Sequence, residues 1–190
     1  PIILIAAAGR SVRMRGSDKL LRKIDEIPQL RRIALAAFAT GCRVAVTLPP
    51  DRPTRHAVLE GLDVALLTVT EYDEGISASL RAGAAVADGR PLMFVPADMP
   101  DLSAQDLARM IGLHRRWPHD LLRASGAGAH GHPVLFPADL VAELQDLSGD
   151  IGARGIVSKH AERLRVVPLP DFNGLLDLDT PEDWATWEAG

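Results

Sequence analysis

The sequence predicts an α/β fold in a single domain, with a mostly parallel sheet covered by helices on both faces. Two observations carry that expectation. Along the first half of the chain, short apolar runs of strand length alternate with segments of helical spacing, the order that feeds a parallel sheet through crossover helices. No linker, internal repeat or low-complexity tract interrupts the 190 residues, and a chain of that length folds as one domain burying roughly 70% of its unfolded surface.

Taken in order, Ile2 to Ile5 is an apolar run long enough for a buried strand and too short for a helix. Between Gln29 and Thr40, residues Leu30, Ile33, Ala34, Ala37 and Phe38 recur at helical spacing, and Gly41 ends the pattern. Arg43 to Leu48 reads as a strand closed by Pro49 and Pro50, followed by a short helix over Thr54–Glu60 and a strand at Val64–Val69. Ser77 is the expected N-cap of a helix running through Val86. Leu92 to Val95 is another apolar strand, and Ser103 caps a longer helix that buries Leu107, Met110 and Ile111.

The second half is less regular. A strand near Leu121–Ala124 runs into a glycine-rich loop from Ser125 to Pro133, and Val134–Phe136 forms a short strand. Pro137 is expected at the first position of a helix with Leu140, Val141, Leu144 and Leu147 on its apolar face. Another helix begins near Asp150, and a strand follows at Leu164–Leu169. Thr180-Pro181-Glu182-Asp183 combines a cap, a proline at the first helical position and an acidic first turn, the start of a C-terminal helix.

The chemistry concentrates directly after the first strand. Ala6, Ala7, Ala8 and Gly9 are small enough for a ligand to approach the backbone and use its N–H groups as donors. Ser11, Arg13 and Lys19 follow; the two cations supply a fork and a point charge suited to phosphate oxygens. The physical reading is a loop that wraps a polyphosphate. It is not a P-loop, because Leu20 follows Lys19, and Gly9 among alanines does not make a dinucleotide fingerprint. Asp98 lies just past the Leu92–Val95 strand, at the same carboxyl edge of the sheet. A carboxylate facing a triphosphate suits Mg²⁺, which bridges phosphate oxygens. The plainer alternatives are a glycine turn with surface cations, and an aspartate that caps the turn before Pro100.

Composition excludes several classes. Hydrophobic content of 47% and charged content of 24% are those of an ordinary soluble protein. A net charge of −4 without a basic block argues against nucleic-acid binding. No run approaches the roughly 20 apolar residues of a membrane span, and no charged region precedes the first strand. No membrane span and no signal peptide are therefore expected. Cys42 is the only cysteine, read as a small core hydrophobe; a lone cysteine suits a reducing, cytoplasmic compartment.

The N-terminal run Ala7-Ala8-Gly9, Ser11, Arg13-Met14, Gly16 and Asp18-Lys19-Leu20 resembles the signature of the MobA-like NTP transferase family. The resemblance extends over nearly the whole chain. It includes Glu74-Gly75-Ile76 to Ser79-Leu80-Arg81, Ala97-Asp98-Met99-Pro100, His132-Pro133-Val134, Gly149-Asp150 to Ala153-Arg154, and Asp177-Leu178-Asp179-Thr180-Pro181. It is nearest to the molybdenum-cofactor cytidylyltransferases, since Ala7-Ala8-Gly9 matches their A-A-G better than the guanylyl A-G-G.

The resemblance implies a three-layer α/β/α, Rossmann-like (GT-A-like) nucleotidyltransferase fold over residues 1–190. It implies that CMP passes from CTP, or NMP from another NTP, to the terminal phosphate of a molybdopterin-type cofactor, with pyrophosphate released and Mg²⁺ required. A molybdoenzyme or its chaperone would take the product. Lys19, Arg13 and Asp98 would be catalytic, with Ala6–Gly9, Ser11, Gly75 and Ser79 also on the nucleotide. Asp98 and Asp179 would hold the metal; His132, Asp150 and Arg154 would bind the acceptor. Simpler roles exist for some of these: Ser77 and Ser79 in an N-capped packing helix, Arg81 in a surface ion pair, Asp179 at a helix start, and His130 in solvent. Two departures stand out. Arg15 replaces a glycine, and Asp25-Glu26-Ile27-Pro28 replaces a D-G-[KR]-P turn, losing its glycine and its cation. Other functions left open are transfer to a different small phosphorylated acceptor and a non-catalytic nucleotide- or cofactor-binding module.

Overall fold

The protein is described from a computed structural model, which covers residues 1–9, 14, 17–126, 129–149, 152–170, 178 and 180–188. A seven-stranded sheet forms the middle layer, in the order β5-β4-β1-β6-β8-β7-β9. Its strands are β1 (Ile2–Ala6), β4 (Arg43–Leu48), β5 (Ala65–Thr68), β6 (Leu92–Pro96), β7 (Leu121–Gly126), β8 (Ala129–Phe136) and β9 (Leu164–Pro168). Only β8 runs against its neighbours; the β5-β4-β1-β6 and β7-β9 pairings are parallel. Two further strands, β2 (Lys23–Ile24) and β3 (Ile27–Pro28), pair as a small hairpin outside the sheet.

Strand alternation divides the core in two. Ile3 and Ile5 of β1, with Val44, Val46, Met93 and Val95, face α1 (Gln29–Phe38) and α4 (Ala104–Arg116). Ile2 and Leu4, with Ala45, Phe94, Leu121, Val134 and Phe136, face α3 (Ile76–Ala87), α5 (Ala138–Val141) and α6 (Arg154–Lys159). The sheet is thus covered on both faces, as the alternating pattern predicts. Helix α3 approaches β1 so closely that a Cβ on Gly83 would sit 2.2 Å from a Leu4 methyl carbon. Two elements complete the chain: α2 (Pro53–Ala57) after β4, and α7 (Pro181–Glu188) at the C-terminus. Among the described residues no helix is long and apolar enough to cross a membrane.

Several local expectations change. The N-cap of α3 is Gly75 at φ +65°, not Ser77, whose side chain is buried inside the first turn. β8 takes in most of the expected glycine-rich loop, so His130 and His132 belong to a strand. Pro137 caps α5 from outside rather than opening it, and α5 tightens into a 3₁₀ turn at Ala142–Asp146. The helix expected near Asp150 is α6, which starts at Arg154. The Asp25-Glu26 turn closes the β2–β3 hairpin with both residues left-handed, at φ 49° and 64°. The missing glycine has therefore not changed the turn; two side-chain-bearing residues adopt the backbone that glycine takes without strain.

At the C-terminus, Thr180 and Asp183 cap α7 reciprocally, backbone N–H to side-chain oxygen in both directions. Trp184 is fully buried in a satellite cluster with Met14, Ile24 and Leu178, and the Arg22 guanidinium lies 4.8 Å from its ring centroid. The Trp187 indole N–H donates to Asp101 at 2.9 Å. The C-terminal helix is thereby fixed against the hairpin and against Met14 of the phosphate-loop signature.

Candidate active site

The carboxyl ends of β1 and β6 lie side by side, and the residues that leave them build the site. Ala97 N–H donates to the Ala6 carbonyl at 3.1 Å, and Ala7 N–H donates to the Thr47 carbonyl at 3.1 Å. Beyond that point the ladder stops. The N–H groups of Ala8 and Gly9 have no protein acceptor among the described residues, and space around the Gly9 Cα is open. Two backbone donors thus stand at the strand end. Ala8 itself is buried against Val69 and Ala78.

Lys19 comes back to the same place. Asp18 accepts a hydrogen bond from Leu20 N–H, capping the 3₁₀ turn Lys19–Leu21. The Lys19 ammonium, mostly buried, forms an ion pair with the equally sheltered Asp98 carboxylate. The two anchors found in the sequence therefore touch. Leu178 N–H donates to the Asp98 carbonyl at 3.3 Å, so Leu178 lies against this strand end. Ser11, Arg13, Arg15, Asp150, Asp177 and Asp179 lie outside the described residues. Among those described, no group of three potential metal ligands occurs. Asp98 is a hard oxygen donor at the edge of the cleft, which suits a divalent cation that takes its remaining ligands from phosphate and water.

Beneath the loop lies a residue the sequence reading missed. Arg55 of α2 is fully buried. It holds Asp18 with two hydrogen bonds, 2.7 Å from Nε and 2.9 Å from Nη2. Its Nη1 donates to the Ala7 and Gly9 carbonyls at 2.6 and 2.7 Å. One guanidinium thus ties both ends of the Ala7–Asp18 segment to α2, the bidentate geometry that lysine cannot provide. Nothing in the Pro53–Ala57 sequence marks Arg55 as buried, since an arginine in a short helix ordinarily faces water.

Ser79 and Arg81 take supporting places. The Ser79 hydroxyl is buried and accepts from Thr47, whose own oxygen stands 3.4 Å from Ala7 N. Arg81 pairs with Glu74 at 2.8 Å and donates to the Leu147 carbonyl at 2.7 Å. Gly75 sits at the N-terminus of α3 with a backbone that disfavours other residues.

Between α3 and α6, on their face of the sheet, a cavity of about 130 Å³ brings His132 and Arg154 together. Its walls include Ile76, Leu80, Phe94, Val134 and Phe136, and it also takes in Arg123. The His132 ring meets Phe94 edge to face at 5.4 Å, and its buried Nδ1 has no partner among the described residues. Burial, then the Arg123 charge, pushes its pKa down to about 4, against an upward pull from Asp98. His132 is therefore neutral at neutral pH, and close enough to Asp98 to feel its charge. His130 is exposed, two residues before it. Arg123 escaped the sequence reading, although a cation inside the strand Leu121-Leu122-Arg123-Ala124 was a visible signal.

Comparison with known proteins gives the family and the fold. Residues 3–164 match the family model described as the MobA-like NTP transferase domain. The "Probable molybdenum cofactor guanylyltransferase" of Natronomonas pharaonis is 30% identical over 189 residues, covering 95% of this chain and 93% of that one. The "Molybdenum cofactor guanylyltransferase" of Cereibacter sphaeroides is 29% identical, with 98% and 94% covered. The crystal structure of Rv0371c from Mycobacterium tuberculosis superposes with a TM-score of 0.83 at 24% identity, over 100% and 98% of the two chains. A manganese complex of the same mycobacterial protein superposes at 0.79 and 23%, over 100% and 97%. At these identities the structures establish the three-layer fold.

Proposed function

The chain belongs to the MobA-like NTP transferase family, and we propose that this nucleotidyltransferase moves a nucleoside monophosphate from an NTP to the phosphate of a molybdopterin-type cofactor. The observation that carries the reading is the meeting of Lys19 and Asp98 beside the open N–H groups of Ala8 and Gly9. A triphosphate needs those three elements together: donors for its oxygens, a cation for its charge, and a carboxylate for its metal.

In the reaction, an oxygen of the acceptor phosphate attacks the α-phosphorus, the bond from that phosphorus to the β-phosphate oxygen breaks, and pyrophosphate leaves. The protein makes no covalent bond. Its work is to hold two mutually repelling anions in line and to stabilise charge that shifts onto the leaving oxygens. Lys19 and Arg13 serve the phosphates; Ala8 and Gly9 donate backbone hydrogen bonds. Asp98 and Asp179 would hold Mg²⁺, which when bound supplies positive charge against the phosphates. The ion pair with Asp98 holds the Lys19 ammonium at the strand ends, where the phosphates and the cation would meet it. His132, Arg154 and Asp150 receive the acceptor.

For the base, Ala8 is the specific feature. Its methyl group fills the space against Val69 and Ala78 where the guanylyl pattern has glycine, which favours cytosine and hence CTP. The names of the curated relatives favour guanine instead, and that is the second reading. Thermal unfolding with Mg²⁺ and each of CTP, GTP, ATP and UTP separates them. Nucleotide at about 100 times its dissociation constant stabilises the fold by roughly 2.7 kcal/mol. A shift with CTP that is lost in Asp98→Ala supports cytidylyl transfer, and a shift with GTP moves the base. No shift with any nucleotide removes the reading.

A further inference from the structure

Arg123 occupies a position on β7 where the alternation calls for an apolar side chain. Leu121 on the same face is fully buried, as are Phe136 and the register partner Val134 on β8. A cation in such surroundings costs folding free energy unless a carboxylate answers it. None does among the described residues. Among the described residues, the one hydrogen bond from Arg123 runs from Nε to the Gly131 carbonyl at 3.2 Å. The neighbouring charge is a second cation, Arg154 at the start of α6, which also lacks an acidic partner among the described residues. Burial, and then the charge of Arg154, lowers the Arg123 pKa from its ordinary value. The β7–β8 register also slips between Arg123 and Ser125, an irregularity that re-aims side chains next to binding sites.

We propose that Arg123 and Arg154 form a two-guanidinium clamp for the phosphate of a planar phosphorylated ligand, whose ring enters the cavity over Phe94, Val134 and Phe136. The proposal rests on the nucleotidyl-transfer reading and adds Arg123 and the chemistry of the acceptor to it. Two guanidinium forks match phosphate oxygens, and a dianion between them relieves their mutual repulsion. The cavity, about 130 Å³, is the size for one ring, since an apolar cavity of about 150 Å³ takes up benzene. The unpartnered Nδ1 of the neutral His132 is placed to meet a polar atom at the ring edge.

The test uses the full chain and phenyl phosphate, with phenol and inorganic phosphate as controls, titrated calorimetrically without nucleotide. The wild type should bind phenyl phosphate more tightly than either control. Arg123→Met should weaken that binding by about tenfold or more, and Arg123→Lys by less. Lys19→Ala should weaken it far less than Arg123→Met does, because Lys19 does not line the cavity. Ligand-free Arg123→Met should melt no lower than the wild type, since it replaces an unanswered cation with an apolar chain. Its nucleotide-induced shift should also be intact, so that failure of the clamp and failure of nucleotide binding are read separately. The clamp is overturned if millimolar phenyl phosphate does not bind the wild type, if Arg123→Met binds it equally well, or if the loss follows Lys19→Ala instead. An Arg123→Met chain that melts well below the wild type also overturns it, by making Arg123 a structural residue.

Discussion

The ammonium of Lys19 and the carboxylate of Asp98, separated by 79 positions in the chain, form an ion pair at the ends of β1 and β6. Each holds the other's charge in a place that is mostly closed to water. Lys19→Ala should fold normally and lose turnover by more than tenfold, read as pyrophosphate release, because a positioned cation on transferring phosphates supplies several kcal/mol. An unchanged rate removes Lys19 from the mechanism.

The pair formed by Arg55 and Asp18 is a structural test of the same loop. Arg55 is fully buried and Asp18 nearly so, and the two share two hydrogen bonds. Arg55→Met takes two hydrogen bonds from the Asp18 carboxylate, which keeps the Leu20 N–H and Arg52 at 3.9 Å, and one donor from two carbonyls, at a cost of about 3 kcal/mol. Denaturant unfolding should show the loss. The Arg55→Met, Asp18→Asn double variant should recover part of it, and strict additivity of the two changes would refute the coupling.

Gly83 is predicted to tolerate no side chain. Alanine would ordinarily favour a helix interior by about 1 kcal/mol, but here its Cβ would lie within 3.0 Å of three Leu4 atoms in the packed core. Overpacking of this kind costs about 1–3 kcal/mol, so Gly83→Ala should lower the melting temperature. A gain would show that Leu4 can repack.

The Asp25-Glu26 turn gives the opposite expectation. Both residues hold positive φ, a backbone that costs roughly 1–2 kcal/mol without glycine. Glu26 also makes an exposed contact with Lys23 at 3.2 Å, which contributes little. Glu26→Gly should therefore stabilise the chain, on the order of 1 kcal/mol, visible as a higher denaturant midpoint with an unchanged slope.

His132 makes stability depend on pH. Its pKa is about 4 in the folded chain against about 6.5 unfolded. Between those values the unfolded chain binds the extra proton, so stability is complete above about pH 6.5 and falls as the pH drops towards 4. The difference of about 2.5 units amounts to about 3 kcal/mol. His132→Gln should flatten this part of the stability profile, and an unchanged slope would assign it to other groups.

The first half of the fold was legible because its signals are local: apolar runs of strand length, helical spacing, and small residues after Ile5. The second half was harder for a physical reason. β8 pairs antiparallel with both neighbours, and its Gly131 and Pro133 carry the marks of a loop, so only tertiary pairing makes residues 129–133 a strand. Ser77 was misread as a cap because its hydroxyl chemistry suits one, whereas the turn before α3 requires the backbone of Gly75. Lys19, Asp98, His132 and Arg154 could be found because their neighbours form motifs. Arg55 could not, since its burial follows from what packs above it. Arg123 lay between: its strand face was readable, and a cation on that face was the clue.

The Trp184–Trp187 pair, packed edge to face at 6.0 Å and sharing its pocket with Met14 and Leu178, gives the chain an optical readout. Two of the three tryptophans lie within one turn of α7, beside Met14 and Leu178. Indole emission depends on local packing, so nucleotide binding that shifts Met14 or Leu178 would register in the intrinsic fluorescence. Excited at the tryptophan band, the unlabelled protein can then be followed through binding on the stopped-flow timescale, with Trp117 at the far end of α4 as a constant background.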